Sequence, residues 1–227
     1  SEDTRWGVLA ANTNHCFMGG TSMATPLASG AATLVRQYCT DVLGMPAPSA
    51  ALLKAVLTGG ARSLTPGQYG ANEFREIPPL PRPNPVEGYG QIDLANTLFP
   101  DSPIQAVLVD DSRPLHTGQT NQFDFFVAES AALTVTMAYS DFPAALASAK
   151  DLVNDLDLKL LSPNQTPYYP GGRTGPDDFN NVETIDIETA ATGRWTLVVS
   201  APNVPADPQP YALYLRGAVR MPVFIQH

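Results

Sequence analysis

The sequence is short of cationic residues, cysteines, histidines and long apolar runs. Of 227 residues, 13 are Lys or Arg and 22 are Asp or Glu, for a net charge of −9. Nucleic acid and anionic membrane surfaces are bound through clustered Lys and Arg, so neither is an expected partner. No run approaches the roughly 20 apolar residues of a membrane span. The opening "SEDTRWGVLA" has neither the basic start nor the apolar segment of a signal peptide. The two cysteines, Cys16 and Cys39, are expected as unpaired thiols, because Cys39 falls at the far end of a predicted helix that begins near Ser22. With three histidines, His15, His116 and His227, no Cys/His cluster has zinc-site spacing.

What is present divides near Phe99–Pro103 ("FPDSP"). Before it the periodicity is helical. "SMATPLASGAATLVRQY" places Met23, Leu27, Ala31, Leu34 and Tyr38 at helical spacing. Its Ala24, Ala28, Gly30 and Ala32 suit a helix packed closely on all sides. "SAALLKAVLTGGAR" predicts a second helix capped by Ser49 and stopped at Gly59–Gly60. A proline-punctuated loop, "IPPLPRPNPVEGYG", leads to a short helix from about Asp93 to Leu98. After the division, seven short, partly alternating apolar segments are separated by Gly, Pro, Asn and Asp turns. They predict a β-sandwich or jelly roll.

One segment of the helical part carries chemistry. In "CFMGGTSMATP", Ser22 follows Gly19, Gly20 and Thr21 and opens the first helix. The glycines let a substrate approach the main chain. A helix N-terminus offers unpaired N–H groups and a positive dipole end to a developing oxyanion. Pro26, inside that helix, costs a backbone hydrogen bond. An isolated G-x-S would read as a helix cap. The whole string Gly20-Thr21-Ser22-Met23-Ala24-Thr25-Pro26 resembles the nucleophile motif of the subtilisin-like serine proteases, the subtilases.

The resemblance continues through "PSAALLKAVLTGGAR" and the "GYGQIDLANTL" element. From about Ile104, "YSDFP", "LVNDLDLKLLSPN", "NNVET" and "GRWTLVVSAPNVP" are similar to the C-terminal jelly-roll domain of alkaline bacterial subtilases. It implies an α/β remnant over 1–100, the mainly helical C-terminal part of a catalytic domain, followed by an all-β domain over 104–220. Ser22 is then the nucleophile, attacking a peptide carbonyl and lending its N–H to the oxyanion hole. The family's Asp and His would lie upstream of this sequence, as would its oxyanion Asn and substrate strands. His15, His116 and His227 do not fit the place of the base, and Asn12 and Asn14 read as turn residues. The chain alone is therefore expected to be inactive, and residues 104–219 to unfold cooperatively by themselves. The resemblance further implies protein or peptide substrates, the upstream part of the same protease as partner, an extracellular location and no organic cofactor. The alternative is a non-catalytic jelly-roll module that binds or stabilises.

In "LVNDLDLKL" the leucines of a strand face the core and Asp155 and Asp157 share the other face. Neighbouring carboxylates repel unless solvated, paired or bridged by a cation. Calcium takes six to eight oxygens, and Asn154, Asp141 and the "DDFNNVE" segment offer more. The residues leave a solvated face and a cation site both open. The resemblance to calcium-stabilised β-domains favours structural calcium, with Asp141, Asp155 and Asp157 as first ligands.

Overall fold

The computed structural model describes residues 7–220, so His227 lies outside the described residues. Three helices precede nine strands: α1 (Thr21–Asp41), α2 (Ala50–Gly59), α3 (Leu94–Leu98), β1 (Gln105–Leu115), β2 (Thr120–Val127), β3 (Leu133–Ala138), β4 (Asp155–Leu161), β5 (Pro167–Tyr168), β6 (Val182–Ile187), β7 (Gly193–Asn203), β8 (Gln209–Gly217) and β9 (Val219–Arg220). The strands form two antiparallel sheets. One has the order β1-β8-β3-β6 and the other β5-β4-β7-β2-β9. Leu156, Leu158 and Leu160 of β4 meet Phe123, Phe125, Val135, Met137, Trp195, Val199 and Leu213 between the sheets. This is the predicted sandwich. The helical part has no sheet of its own among the described residues, only isolated bridges such as Val8↔Cys16.

The helical part instead borrows the sandwich. Ser49 caps α2, its side chain accepting from the Leu52 N–H at 3.0 Å. The Ser49 amide and hydroxyl both donate to Asp110 of β1, at 2.6 Å each. α2 then lies on the outer face of the four-stranded sheet. There Leu52, Ala55 and Val56 share a second core with Ala138, Ala212 and Tyr214, and with Val35 and Cys39 of α1. Full burial of one such aliphatic side chain contributes about 1.5–3 kcal/mol. Gly59 and Gly60 do more than end the helix. A Cβ on Gly59 would stand 2.5 Å from the Thr136 hydroxyl, and one on Gly60 2.3 Å from Thr97. Because this sheet is covered on both faces, β3 is buried at all six positions.

α1 departs from its expected all-round packing. Only Ala31, Val35 and Cys39, spaced four apart, are buried. Leu27 and Leu34 are 76% and 54% exposed. The C-terminal half is anchored, with Tyr38 edge-on to Phe99 at 5.1 Å. The N-terminal half is open.

One ion pair ties the proline-rich loop to the sandwich. Arg82 is 4% exposed. Its Nε and Nη2 donate to the two oxygens of Asp186 on β6 at 2.9 and 2.6 Å. Nη1 donates to the carbonyls of Ala61 and Tyr89, and Nη2 also reaches the Gly59 carbonyl at the end of α2. Thr134 of β3 donates to the same carboxylate. Removing one partner of a buried pair strands the other charge, at a cost of about 3–5 kcal/mol. Arg82→Ala is therefore expected to lower unfolding free energy by that amount in a denaturant titration, whereas Arg82→Leu with Asp186→Leu recovers most of the loss. A single mutant within about 0.5 kcal/mol of wild type, the range of ordinary surface substitutions, would refute this role.

Candidate functional site

Ser22 is the second residue of α1. The helix is preceded by Gly20 at φ 135°, and no side chain caps it. That φ lies in the region glycine alone enters freely. The cap explanation of Ser22 therefore does not hold, because Gly20 takes the cap position. The Ser22 side chain is exposed, and its hydroxyl has no hydrogen-bond partner among the described residues. The first backbone bonds of the helix run from Met23 and Ala24 to the Gly20 carbonyl. The Thr21 and Ser22 amides, which precede them, are left as free donors at the positive end of the helix. Pro26 lacks the N–H that would reach back to the Ser22 carbonyl. Thr25 and Ser29 bond back to the Thr21 and Thr25 carbonyls.

No base accompanies this hydroxyl among the described residues. His15 lies in the turn before the motif. Its carbonyl accepts from Leu9 and its amide donates to Asn12. Asn12 braces that turn, its side chain accepting from the Asn14 amide. His116 is in the sandwich, with Nδ1 2.6 Å from Asp207 Oδ2. Around Ser22 the surface is apolar and uncovered: Val8, Phe17, Met18 and Leu27 are all exposed. Cys16 and Cys39 are both free thiols, the first exposed and the second buried.

The acidic strand is not a solvated face. Asp155 and Asp157 of β4 are each 8% exposed. One oxygen of each is buried without a hydrogen-bond partner, as is Oε1 of Glu183 on β6. Glu183 is 1% exposed. Its Oε2 accepts from the Leu158 amide of β4 at 2.7 Å, joining the two sheets. Burial raises Asp157 to about 6, and the charges of Asp155, Asp178 and Asp177 add to this while Lys150 opposes it. Burial also raises Asp155, against Lys150 at 3.5 Å. Glu183 is raised well above the usual range by burial, despite its backbone bond.

The expected companions of these carboxylates are occupied elsewhere. Asp141 accepts from the Phe142, Val153 and Asn154 amides, so it braces a turn. Asn154 is fully bonded to Ala206 and Gln209. Asp177 holds Asn180 and Arg173. Among the described residues, no three His, Cys, Asp or Glu side chains converge as a ready-made ion cage. Even so, the donor set fits calcium in kind: hard oxygens, some buried and unpaired. Glu183 closes the "DDFNNVE" segment that offers further oxygens in the sequence, without standing among the first expected ligands. The available signal was its place on the same face as Ile185 and Ile187.

The model of the subtilase family matches residues 6–75. Two proteins of Dictyostelium discoideum are similar across most of the chain. "Serine protease/ABC transporter B family protein tagB" is 25% identical over 88% of this chain and 13% of its own length. "Serine protease/ABC transporter B family protein tagA" is 26% identical over 88% of this chain and 12% of its own length. The chain thus spans about an eighth of the length of these relatives. Among solved structures, "CBM35 from Cellvibrio japonicus Abf62" has 15% identity and a TM-score of 0.31, covering 52% of this chain and 97% of that chain. That likeness is too slight to carry anything over. The subtilase-family match over residues 6–75 takes in the Ser22 motif.

Proposed function

We propose that the chain is the C-terminal part of a subtilisin-like serine endopeptidase in which Ser22 is the nucleophile. The observation that carries this reading is the unpartnered, exposed Ser22 hydroxyl at the open N-terminus of α1. The family match over residues 6–75 and the serine-protease names of the relatives support it. In the reaction, Oγ bonds to the scissile carbonyl carbon while its proton passes to an imidazole supplied by preceding polypeptide. The charge arriving on the carbonyl oxygen meets the free Ser22 amide. The leaving amine takes the proton, and water then releases the acyl group from the serine. Protein or peptide substrates and an extracellular setting belong to this reading. So does preceding polypeptide as the partner that covers Val8, Phe17, Met18, Leu27 and Leu34. Calcium is proposed as a structural cofactor on the acidic strand, held first by Asp155 and Asp157.

A second reading makes the sandwich a binding module. It is supported by an open groove lined by Phe142, Leu146 and Phe179. Binding of a glycan or protein by the whole chain, lost on Phe142→Ala with Phe179→Ala, would favour it.

The purified chain is expected to show no turnover of casein or peptide anilides, because Ser22 has no base among the described residues. Supplying the preceding polypeptide of the same gene is expected to create activity that Ser22→Ala lowers by about 10⁶-fold, the scale of losing a serine nucleophile. Ser22-dependent hydrolysis by the chain alone would contradict the reading. So would activity of the completed protein that survives Ser22→Ala.

A further inference from the structure

The loop between β3 and β4 is internally bonded. Asp141 closes its base by accepting from the Phe142, Val153 and Asn154 amides. Within it, the Ser148 amide donates to the Ala145 carbonyl and the Ser148 hydroxyl to the Lys150 carbonyl. Ala147 stands at φ 62°, a conformation that residues other than glycine rarely adopt and that recurs where ligands are clamped. This loop and the segment before β6 enclose a groove of about 680 Å³ that holds Phe142, Leu146, Leu152 and Phe179. Phe142, Leu146 and Phe179 are exposed. Amide donors in the groove are already engaged: Asn180 donates to Asp177, and Asn181 to the Tyr139 carbonyl. A glycan, held through its hydroxyls, would find few of them free.

The charge of the groove is of one sign. Asp141 and Asp151 line it, and no Lys or Arg does among the described residues. Asp151 is exposed and has no hydrogen-bond or ion-pair partner among those residues. At the Phe179 end, Lys150 Nζ lies 5.9 Å from the ring centroid, 3.5 Å from Asp155 and 4.0 Å from Asp178. An aromatic face with carboxylates beside it attracts a cation, and Lys150 shows that attraction within the chain. One lysine leaves the carboxylates around it in excess.

We infer that this groove docks an extended peptide in which an apolar side chain is flanked by Arg or Lys. The inference rests on the binding-module reading above and is independent of the protease reading. The apolar side chain covers Phe142 and Leu146, and the basic ones answer Asp151 and Asp178. Charge selects the partner: an acidic peptide meets repulsion at the rim, and a neutral one gains only the apolar contact. The internally bonded loop lowers the ordering cost of binding.

The test is selection of a random dodecapeptide display library on the full chain, with a glycan array in parallel. Enriched peptides are then synthesised and titrated by calorimetry. They are expected to carry Arg or Lys beside an apolar residue. Phe142→Ala with Phe179→Ala is expected to weaken their Kd by about tenfold or more, the scale of losing aromatic contacts at an interface. Asp151→Asn with Asp178→Asn is expected to weaken it about three- to tenfold. Wild-type binding should weaken as salt rises from about 0.05 to 0.5 M, and the Asn variant should respond less. All four side chains are exposed, so both variants are expected to melt with wild type. Enriched peptides without basic residues overturn the inference. So does binding of the basic peptides that survives loss of both phenylalanines. If a glycan binds instead and is lost in the Phe142→Ala, Phe179→Ala variant, the inference fails and the binding-module reading stands. If neither peptide nor glycan depends on the two phenylalanines, both fail.

Discussion

The buried pair of Arg82 and Asp186 is the constraint around which the two parts of this chain are arranged. All five guanidinium N–H groups are used: two on the carboxylate and three on the carbonyls of Gly59, Ala61 and Tyr89. A guanidinium suits this place because its fork fits a carboxylate while its remaining donors satisfy backbone oxygens at loop ends. The pair fixes the end of α2 over β3 and β6, and the close approach at Gly59 follows. On the same outer face of that sheet, Tyr214 and Arg216 of β8 reach Thr97 and Asn96 of α3. Helical segment and sandwich therefore share one core wall. Residues 104–220, cut away, would bare Ala138, Ala212 and Tyr214 to water.

Much of this was legible in the sequence where local pattern and burial agree. Ser49 at the head of α2 and Asp93 at the head of α3 act as caps in the positions their side chains predict. The alternation of "DLDLKLL" put its leucines in the core. The illegible features depend on distant partners. Nothing in a proline-rich loop announces that Arg82 will meet a strand 104 residues away. The Leu27 and Leu34 stripe pointed to a buried helix, yet the buried side of α1 is set by where α2 lies, and it falls on Ala31, Val35 and Cys39. Asp141 is a candidate ligand by its type and its nearness to the acidic strand, and the backbone amides it also accepts from are brought to it only by the folded turn. Glu183, at the end of the "DDFNNVE" segment, is legible as an oxygen donor, but its bond to the Leu158 amide rests on an unpaired strand edge in the other sheet.

The same architecture explains the condition of Ser22. α1 is held at one end by Val35, Cys39 and Tyr38 and is free of tertiary cover at the other. The hydroxyl is thus presented at a helix N-terminus with free amides, on an apolar surface. Such a surface is a common mark of an interaction site. The structural service of the sandwich to the serine is to hold, together with α2 and α3, the distal half of α1 in place.

Native-state hydrogen exchange of the isolated chain addresses this account most directly, since it reads the opening free energy of each amide. If α2 and the sandwich are one cooperative unit, the amides of α2, β3 and β8 exchange with the same free energy, equal to global unfolding. The α1 amides before Ala31 exchange with markedly less protection than those from Val35 to Cys39. Contradiction would come from an α2 that exchanges far faster than β3 and β8, or from an N-terminal half of α1 protected to the level of the core.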